Sequence, residues 1–248
     1  MKLSKGDVQT ALIDADIMLY RAAFKHEGGD IEDAYETIDS MFDHIFYVTK
    51  CVSYIGFLTG KGNFRKDIAV TKEYKGNRKD MVLPEHFDDI RDYLWDKWNC
   101  REVQGIEADD ALGICQSNLD KTIICSIDKD LLQIEGLHYN WNKNEVTFIN
   151  KHEADKLVYK QALMGDSTDN IVGIPRVGAV KADKILSEGD IAESNESICL
   201  KAYAQYFEDE DLAKEKYKET YDLVYIARDC DVPRFKEVFK IPQVNYVF

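Results

Sequence analysis

The chain has no two cysteines close enough in sequence to form a Cys-x-x-Cys element. Cys51, Cys100, Cys115, Cys125, Cys199 and Cys230 are scattered, which excludes a dithiol redox motif and fits reduced, buried thiols. The five histidines are equally dispersed, so zinc is not expected. No apolar run reaches the roughly 18 residues of a membrane span. The stretch from Met1 to Asp7 lacks the apolar core of a signal peptide, so a cytoplasmic location is expected. Basic residues are also short. Lys and Arg number 32 against 46 Asp and Glu, a net charge of −14. Taken alone, that balance argues against nucleic acid, whose phosphates need cations. Segregated charge removes the objection, so where the acids sit matters more than their total.

What is present reads as α/β. The chain's 248 residues suffice for one α/β domain with a helical appendage. Thr10 to Asp16 is an apolar strand ending in acids. Over 31–50, Ile38, Met41, Phe42, Ile45 and Val48 repeat at helical spacing. Val52 to Leu58 and Thr122 to Ile127 are further apolar strands. Pro84 is placed to open a helix running to about Trp98. Glu107 to Gln116 reads as a helix. Tyr139 and Val146 to Phe148 flank a turn at Asn142-Lys143-Asn144. From Lys151 onward the pattern is helical. Alternating strands and helices predict a mostly parallel sheet with helices on both faces. The expected division is 1–150 for the α/β core, with a basic segment at about 59–100, and 151–248 for a helical region.

Acids recur at the junctions of these elements. Asp14 and Asp16 end the first strand, where two-residue spacing puts both on one face. Glu107, Asp109 and Asp110 open a helix. Asp128 and Asp130 follow the third strand. Asp166 and Asp169 lie in Gly165-Asp166-Ser167-Thr168-Asp169-Asn170. Each cluster has an ordinary explanation as a helix cap or dipole partner. Their conjunction does not. Parallel strands bring three of the clusters to one sheet edge. Carboxylates gathered there repel one another unless a divalent cation intervenes. Oxygen-only ligands favour magnesium or manganese over zinc. Two ions about 4 Å apart would suit phosphodiester hydrolysis without a general-base histidine.

Residues 61–79 carry Lys61, Arg65, Lys66, Lys72, Lys75, Arg78 and Lys79 against only Asp67 and Glu73, a local excess of +5. Phe64 and Tyr74 interleave aromatic rings. Cations for phosphates and rings for bases suit single-stranded nucleic acid. Gly173-Ile174-Pro175-Arg176-Val177-Gly178 lies between helical stretches. It leads into a helix bearing Lys181 and Lys184, whose N-terminus could receive phosphate.

Five ordered blocks spanning residues 12–186 resemble the flap endonuclease-like 5′ nucleases, especially the bacteriophage 5′–3′ exonucleases. They are Leu12-Ile13-Asp14-Ala15-Asp16, Tyr74-Lys75-Gly76-Asn77-Arg78, Glu107-Ala108-Asp109-Asp110-Ala111, Ser126 to Leu132, and Gly165 to Gly178. The resemblance implies a PIN/5′-nuclease-like twisted sheet, a helix–three-turn–helix element at about 160–187 and a gateway or arch. It implies one ion held by Asp14, Glu107, Asp109 and Asp110, and a second by Asp128, Asp130, Asp166 and Asp169. Lys75 and Arg78 match cations that grip the scissile phosphate, so the catalytic set is Lys75, Arg78, Asp14 and Asp128. Arg21 matches a further phosphate contact. Lys61, Arg65, Lys66, Tyr74, Asn77 and Lys79 join the DNA-binding set. Gly173, Pro175, Arg176, Val177, Gly178 and Lys181 would clamp duplex phosphates, with a potassium ion at the turn. The implied substrates are DNA ends, flaps and nicks, and RNA in RNA–DNA hybrids. The implied state is a monomer away from membranes, in the host cytoplasm if a phage encodes it.

The sequence departs from that pattern at Gly60, where the family carries another acid. Asp16 is the candidate replacement. The arch is also short. Two competing readings are weaker. Phosphatases with an aspartyl nucleophile share Asp-x-Asp but need a following Thr motif that is absent here. A non-catalytic DNA-structure binder is supported only by Gly60.

Overall fold

The computed structural model describes residues 1–4, 6–189 and 193–247. The first part runs β1 (Thr10–Asp14), α1 (Ala15–Lys25), α2 (Ile31–Thr49), β2 (Ser53–Thr59), a short α3 (Arg65–Ile68), α4 (Phe87–Asp96) and β3 (Arg101–Val103). Next come α5 (Ala108–Asn118), β4 (Thr122–Cys125) and the hairpin β5 (Gly136–Asn140) and β6 (Glu145–Ile149). Then follow α6 (Lys151–Met164), β7 (Gly165–Asp166), β8 (Ile171–Val172), α7 (Ala179–Glu188), α8 (Asn195–Phe207), α9 (Glu210–Val224), α10 (Val232–Phe235) and β9 (Asn245–Tyr246).

These elements form two compact units. One comprises Met1–Asn63, Val82–Asn150 and Ile226–Phe248, and the other Phe64–Met81 and Lys151–Tyr225. The chain passes from one unit to the other at 63/64, 81/82, 150/151 and 225/226. The basic segment separates from the rest of 59–100, and the residues from Ile226 onward return to the first unit.

The first unit is built on a sheet of order β3-β2-β1-β4-β5-β6. Pairing is parallel from β3 to β5, and antiparallel for β5–β6 and for β9 on β2. Leu12 and Ile13 of β1 and Ile55 of β2 are wholly buried. That suits near-continuous apolar strands covered on both faces. Because β1, β2 and β4 are parallel, Asp14, Thr59 and the residues after Cys125 leave the sheet at one edge. Helix α2 buries Ala34, Ile38, Phe42 and Ile45 at helical spacing. Each fully buried Ile or Phe contributes about 1.5–3 kcal/mol. Phe42 stacks on Trp98 at 4.0 Å, and Tyr35 stacks on Tyr93 of α4 at 4.0 Å. Helix α4 is therefore part of this core and not a free arch.

Several elements differ from the sequence reading. The first strand stops at Asp14 and not Asp16, because Asp14 caps α1 by accepting from Ile17 N at 3.2 Å. Asp16 thus shares a helix turn with Asp14, not a strand face. Helix α4 begins at Phe87, and the Pro84 carbonyl accepts from Phe87 N in the turn before it. Strands β3 and β9 carried no readable signal, being three and two residues long.

The second unit is helical around a core of Leu163, Ile174, Val177, Leu186, Tyr203 and Tyr217. Between α6 and α7, β7 and β8 pair as Gly165 with Val172. A Cβ on Gly173 would lie 2.3 Å from Gly165 N, so neither strand of this turn admits a side chain there.

Candidate active site

In the first unit, Asp14 is 2% exposed. Its carboxylate accepts from Ser126 Oγ at 2.6 Å. Burial pushes its pKa up to about 7; the Ser126 hydroxyl opposes this, and the charges of Asp16 and then Asp128 reinforce it. Asp16 lies in the first turn of α1, and both its oxygens accept from Thr59 N, at 3.1 and 3.0 Å. Burial raises its pKa, Thr59 and Arg91 oppose, and Glu107 adds to the rise. Thr59 Oγ1 accepts from Ala108 N at 2.9 Å, tying the end of β2 to the start of α5.

Glu107 caps α5, with Asp109 and Asp110 in its first turn. Asp110 is wholly buried, and its oxygens accept from Glu107 N at 3.1 Å and Ala227 N at 3.0 Å. It therefore also serves as a structural cap. Asp128 N donates to Ser126 Oγ at 3.0 Å, and Asp128 Oδ1 accepts from Asp130 N at 2.8 Å. Ser126 thus bridges the first and third acid clusters. Sequence reading passed over Ser126 and Thr59. Their only signal was a hydroxyl residue beside each strand-end acid position.

The acids of the first unit gather at one sheet edge through these hydroxyls. Even so, among the described residues no three carboxylate, imidazole or thiol groups are arranged to hold a metal ion. The donor chemistry nonetheless fits a hard divalent cation. The set is oxygen-only, and Asp14 is a buried carboxyl facing other acids.

Gly60 has a steric explanation. A Cβ there would fall 2.5 Å from the Val103 carbonyl oxygen and 2.6 Å from Gln104 Nε2, while Gly60 N donates to Val103 O at 2.8 Å. The end of β2 leaves no space for an acid. Gly60→Asp is expected to lower stability by about 3 kcal/mol without improving metal binding, as read by thermal unfolding and manganese titration.

The second unit holds Asp166, Asp169 and most of the basic segment. Asp166 Oδ1 accepts from Thr168 N at 2.7 Å. Arg78 Nη2 reaches Asp169 Oδ1 at 2.7 Å, Tyr74 OH donates to Asp169 Oδ2 at 2.9 Å, and Lys75 Nζ lies 3.7 Å from the same oxygen. Asn77 Nδ2 donates to the carbonyls of Ser167 and Thr168 at 3.2 Å each. Farther back, Glu219 accepts from Val70 N at 2.7 Å and from Thr71 N. What read as a loop is bolted down along its length.

Two members of the expected DNA-binding set are corrected. Tyr74 is 4% exposed and packs in the core of the second unit, so its ring is closed to bases. Arg65 is 2% exposed; it donates to the Leu223 carbonyl at 3.0 Å and the Tyr225 carbonyl at 2.6 Å. Arg65→Met would leave these carbonyls without that donor. The expected cost is about 3 kcal/mol in urea unfolding, with DNA affinity per folded molecule unchanged. Lys61, Lys66, Asn77 and Lys79 are exposed as expected, and Lys79 pairs with Glu73 at 2.5 Å. Arg21 is exposed on α1 of the first unit and bonds the Asn142 side chain.

In the 173–178 turn, Gly173 and Val177 are buried, whereas Pro175, Arg176, Gly178 and Lys181 are exposed. Val177 N donates to the Ile174 carbonyl at 3.0 Å, and Arg176 takes the left-handed conformation at φ 63°. Gly178 caps α7 without a side-chain hydrogen bond, and a Cβ on it would meet nothing within 4 Å. The start of α7 is open to an anion.

Residues 9–163 match the family model described as 5′-3′ exonuclease, N-terminal resolvase-like domain. The chain belongs to this 5′-3′ exonuclease family. It is 30% identical over 258 residues to a 5′-3′ exonuclease of Mycoplasmopsis pulmonis, covering 93% of this chain and 84% of that one. It is 30% identical over 194 residues to a 5′-3′ exonuclease of Buchnera aphidicola subsp. Schizaphis graminum, covering 67% of this chain and 66% of that one. Among solved structures, a T5 5′-exonuclease with bound zinc superposes with TM-score 0.68 at 18% identity, over 92% of this chain and 90% of that one. The catalytic core of Rad2 in complex with DNA superposes with TM-score 0.54 at 15% identity, over 92% and 77%. At these identities the structures establish the fold alone: a mostly parallel central sheet with flanking helices and a helical C-terminal region. No helix among the described residues is long and apolar enough to cross a membrane.

Proposed function

We propose that this family member hydrolyses DNA phosphodiester bonds from 5′ ends and at 5′ flaps and nicks, with a divalent cation, in the cytoplasm and as a monomer. The observation that carries the reading is the buried carboxyl of Asp14, set among further acids at the carboxyl edge of a parallel sheet. Asp14, Asp16, Glu107 and Asp109 are the proposed holders of one magnesium or manganese ion, with Asp110 in support. Asp128 and Asp130 are proposed for a second. When bound, such ions supply an ionised water as nucleophile and stabilise the leaving oxygen.

The chain's own residues have separate tasks. Ser126 orients Asp14 and Asp128. Thr59 orients Asp16 and the start of α5. Lys75 and Arg78 neutralise charge developing on the scissile phosphate. Arg21, Lys61, Lys66, Asn77 and Lys79 contact the backbone. Pro175, Arg176, Gly178 and Lys181, with the open start of α7, hold duplex phosphates, and a potassium ion is proposed at that turn. RNA in RNA–DNA hybrids is a proposed further substrate. A non-catalytic binder gains no support from Gly60, because packing alone accounts for the glycine.

A 5′-flap duplex labelled at its 3′ end tests the reading. Cleavage near the junction, abolished when a bulky complex blocks the free 5′ end, is expected. Cleavage indifferent to 5′ structure would overturn it.

A further inference from the structure

Asp169 already has cations on both of its carboxylate oxygens. Arg78 engages one of its oxygens at 2.7 Å; Tyr74 OH at 2.9 Å and Lys75 Nζ at 3.7 Å engage the other. The backbone repeats the connection. Lys75 N donates to the Asp169 carbonyl at 2.9 Å, Arg78 Nη2 to the Thr168 carbonyl at 3.3 Å, and Asn170 Nδ2 to the Glu73 carbonyl at 2.9 Å. Lys75 itself is held in the left-handed conformation at φ 55°, which a non-glycine residue adopts only when its surroundings impose it.

We propose that Asp169 is a positioning residue: its carboxylate, clasped by Arg78, Lys75 and the Tyr74 hydroxyl, fixes the two gateway cations for a phosphate instead of serving as a metal ligand. The sequence pattern had assigned it to the second ion, and the donor environment disagrees. A dication beside this carboxylate would face two positive charges well within a Debye length, where salt does little to relieve the repulsion. The clasp is also poorly explained as a stabilising device. Asp169 and Arg78 are 22% and 38% exposed, and exposed ion pairs contribute little to stability. What it does achieve is order. Arg and Lys are long and rotamer-rich, and a group preset toward developing charge needs no reorganisation during the reaction. One carboxylate between two cations also leaves the cluster net positive, as a phosphate requires. Tyr74 is buried and anchors the carboxylate from below, which gives its ring a role other than stacking on a base.

The inference rests on Lys75 and Arg78 contacting phosphate, so its test has arms that do not. The full chain carrying Asp169→Asn keeps the shape and the hydroxyl partner but loses both ion pairs; Asp169→Ala is the companion. Manganese titration of the DNA-free protein should give a dissociation constant within about twofold of the parent. Trypsin cleavage after Lys75 and Arg78 in the folded state should rise at least about tenfold. On a flap substrate, Asp169→Asn should slow turnover, yet add no more than about twofold to the defect of Arg78→Ala, because it acts through that residue. Weaker manganese binding with unchanged trypsin sensitivity would overturn the proposal, as would a full additional loss in the Arg78→Ala background. If the parent cut no DNA, the nuclease reading would fail, and the trypsin arm would still decide the clasp.

Discussion

Asp14→Asn is expected to lower the single-turnover cleavage rate by about 10³-fold while making the protein more stable. The first effect follows from losing an anionic ligand, where several kcal/mol of transition-state stabilisation corresponds to about a thousandfold. The second follows from burial. An amide can still cap Ile17 N and still meet the Ser126 hydroxyl, so the fold is kept. It removes a charge that the folded state disfavours. The sign is fixed by linkage. The carboxyl pKa is about 7 in the folded chain against 3.8 for an unperturbed aspartate. Between those limits the folded state binds more protons, so stability falls as pH rises and is lowest above about pH 7. The gain for Asp14→Asn should therefore be largest near pH 8, roughly 2–4 kcal/mol by chemical unfolding in EDTA, and vanish near pH 4. His138 titrates in the opposite sense. Burial pushes its pKa down to about 4 from 6.5, so it costs stability as pH falls through that interval. The comparison must be variant against parent at each pH, where the His138 contribution cancels. Unchanged cleavage by Asp14→Asn would remove Asp14 from the site.

Lys75→Ala and Arg78→Ala should each lower turnover by about 10²-fold, with flap affinity changed only a few-fold. A cation aimed at the scissile phosphate acts on charge that grows toward the transition state, so its loss appears in kcat before it appears in binding. A cation that merely holds the backbone would instead weaken affinity and reduce its salt dependence. Titration of the flap in calcium, followed by single-turnover rates in magnesium, separates the two cases. A large affinity loss with normal turnover would move both residues into the DNA-binding surface.

The sequence made the sheet and its acid clusters legible because both follow short-range rules. Apolar runs end at acids in β1 and β4, and those ends share an edge once the strands are parallel. It could not show which side chains are spoken for. Arg65 and Tyr74 belong by composition to a basic, aromatic loop, but α9 and the 167–170 turn bury them. Those contacts link positions 95 and 158 residues apart and leave no local pattern. Gly60 was legible as a departure, but its cause lies in Val103 on a three-residue strand too short to read. Ser126 and Thr59 stood beside the acids, but only tertiary structure reveals that each joins two clusters.

The central claim is a carboxylate-held, cation-dependent nuclease site. It is tested most directly by single-turnover cleavage of a 5′-flap substrate in magnesium and in EDTA, by the parent chain and by Asp128→Asn. The expected result is cleavage only by the parent and only with the metal. Cleavage in EDTA, undiminished cleavage by Asp128→Asn, or no cleavage with any divalent cation would contradict it.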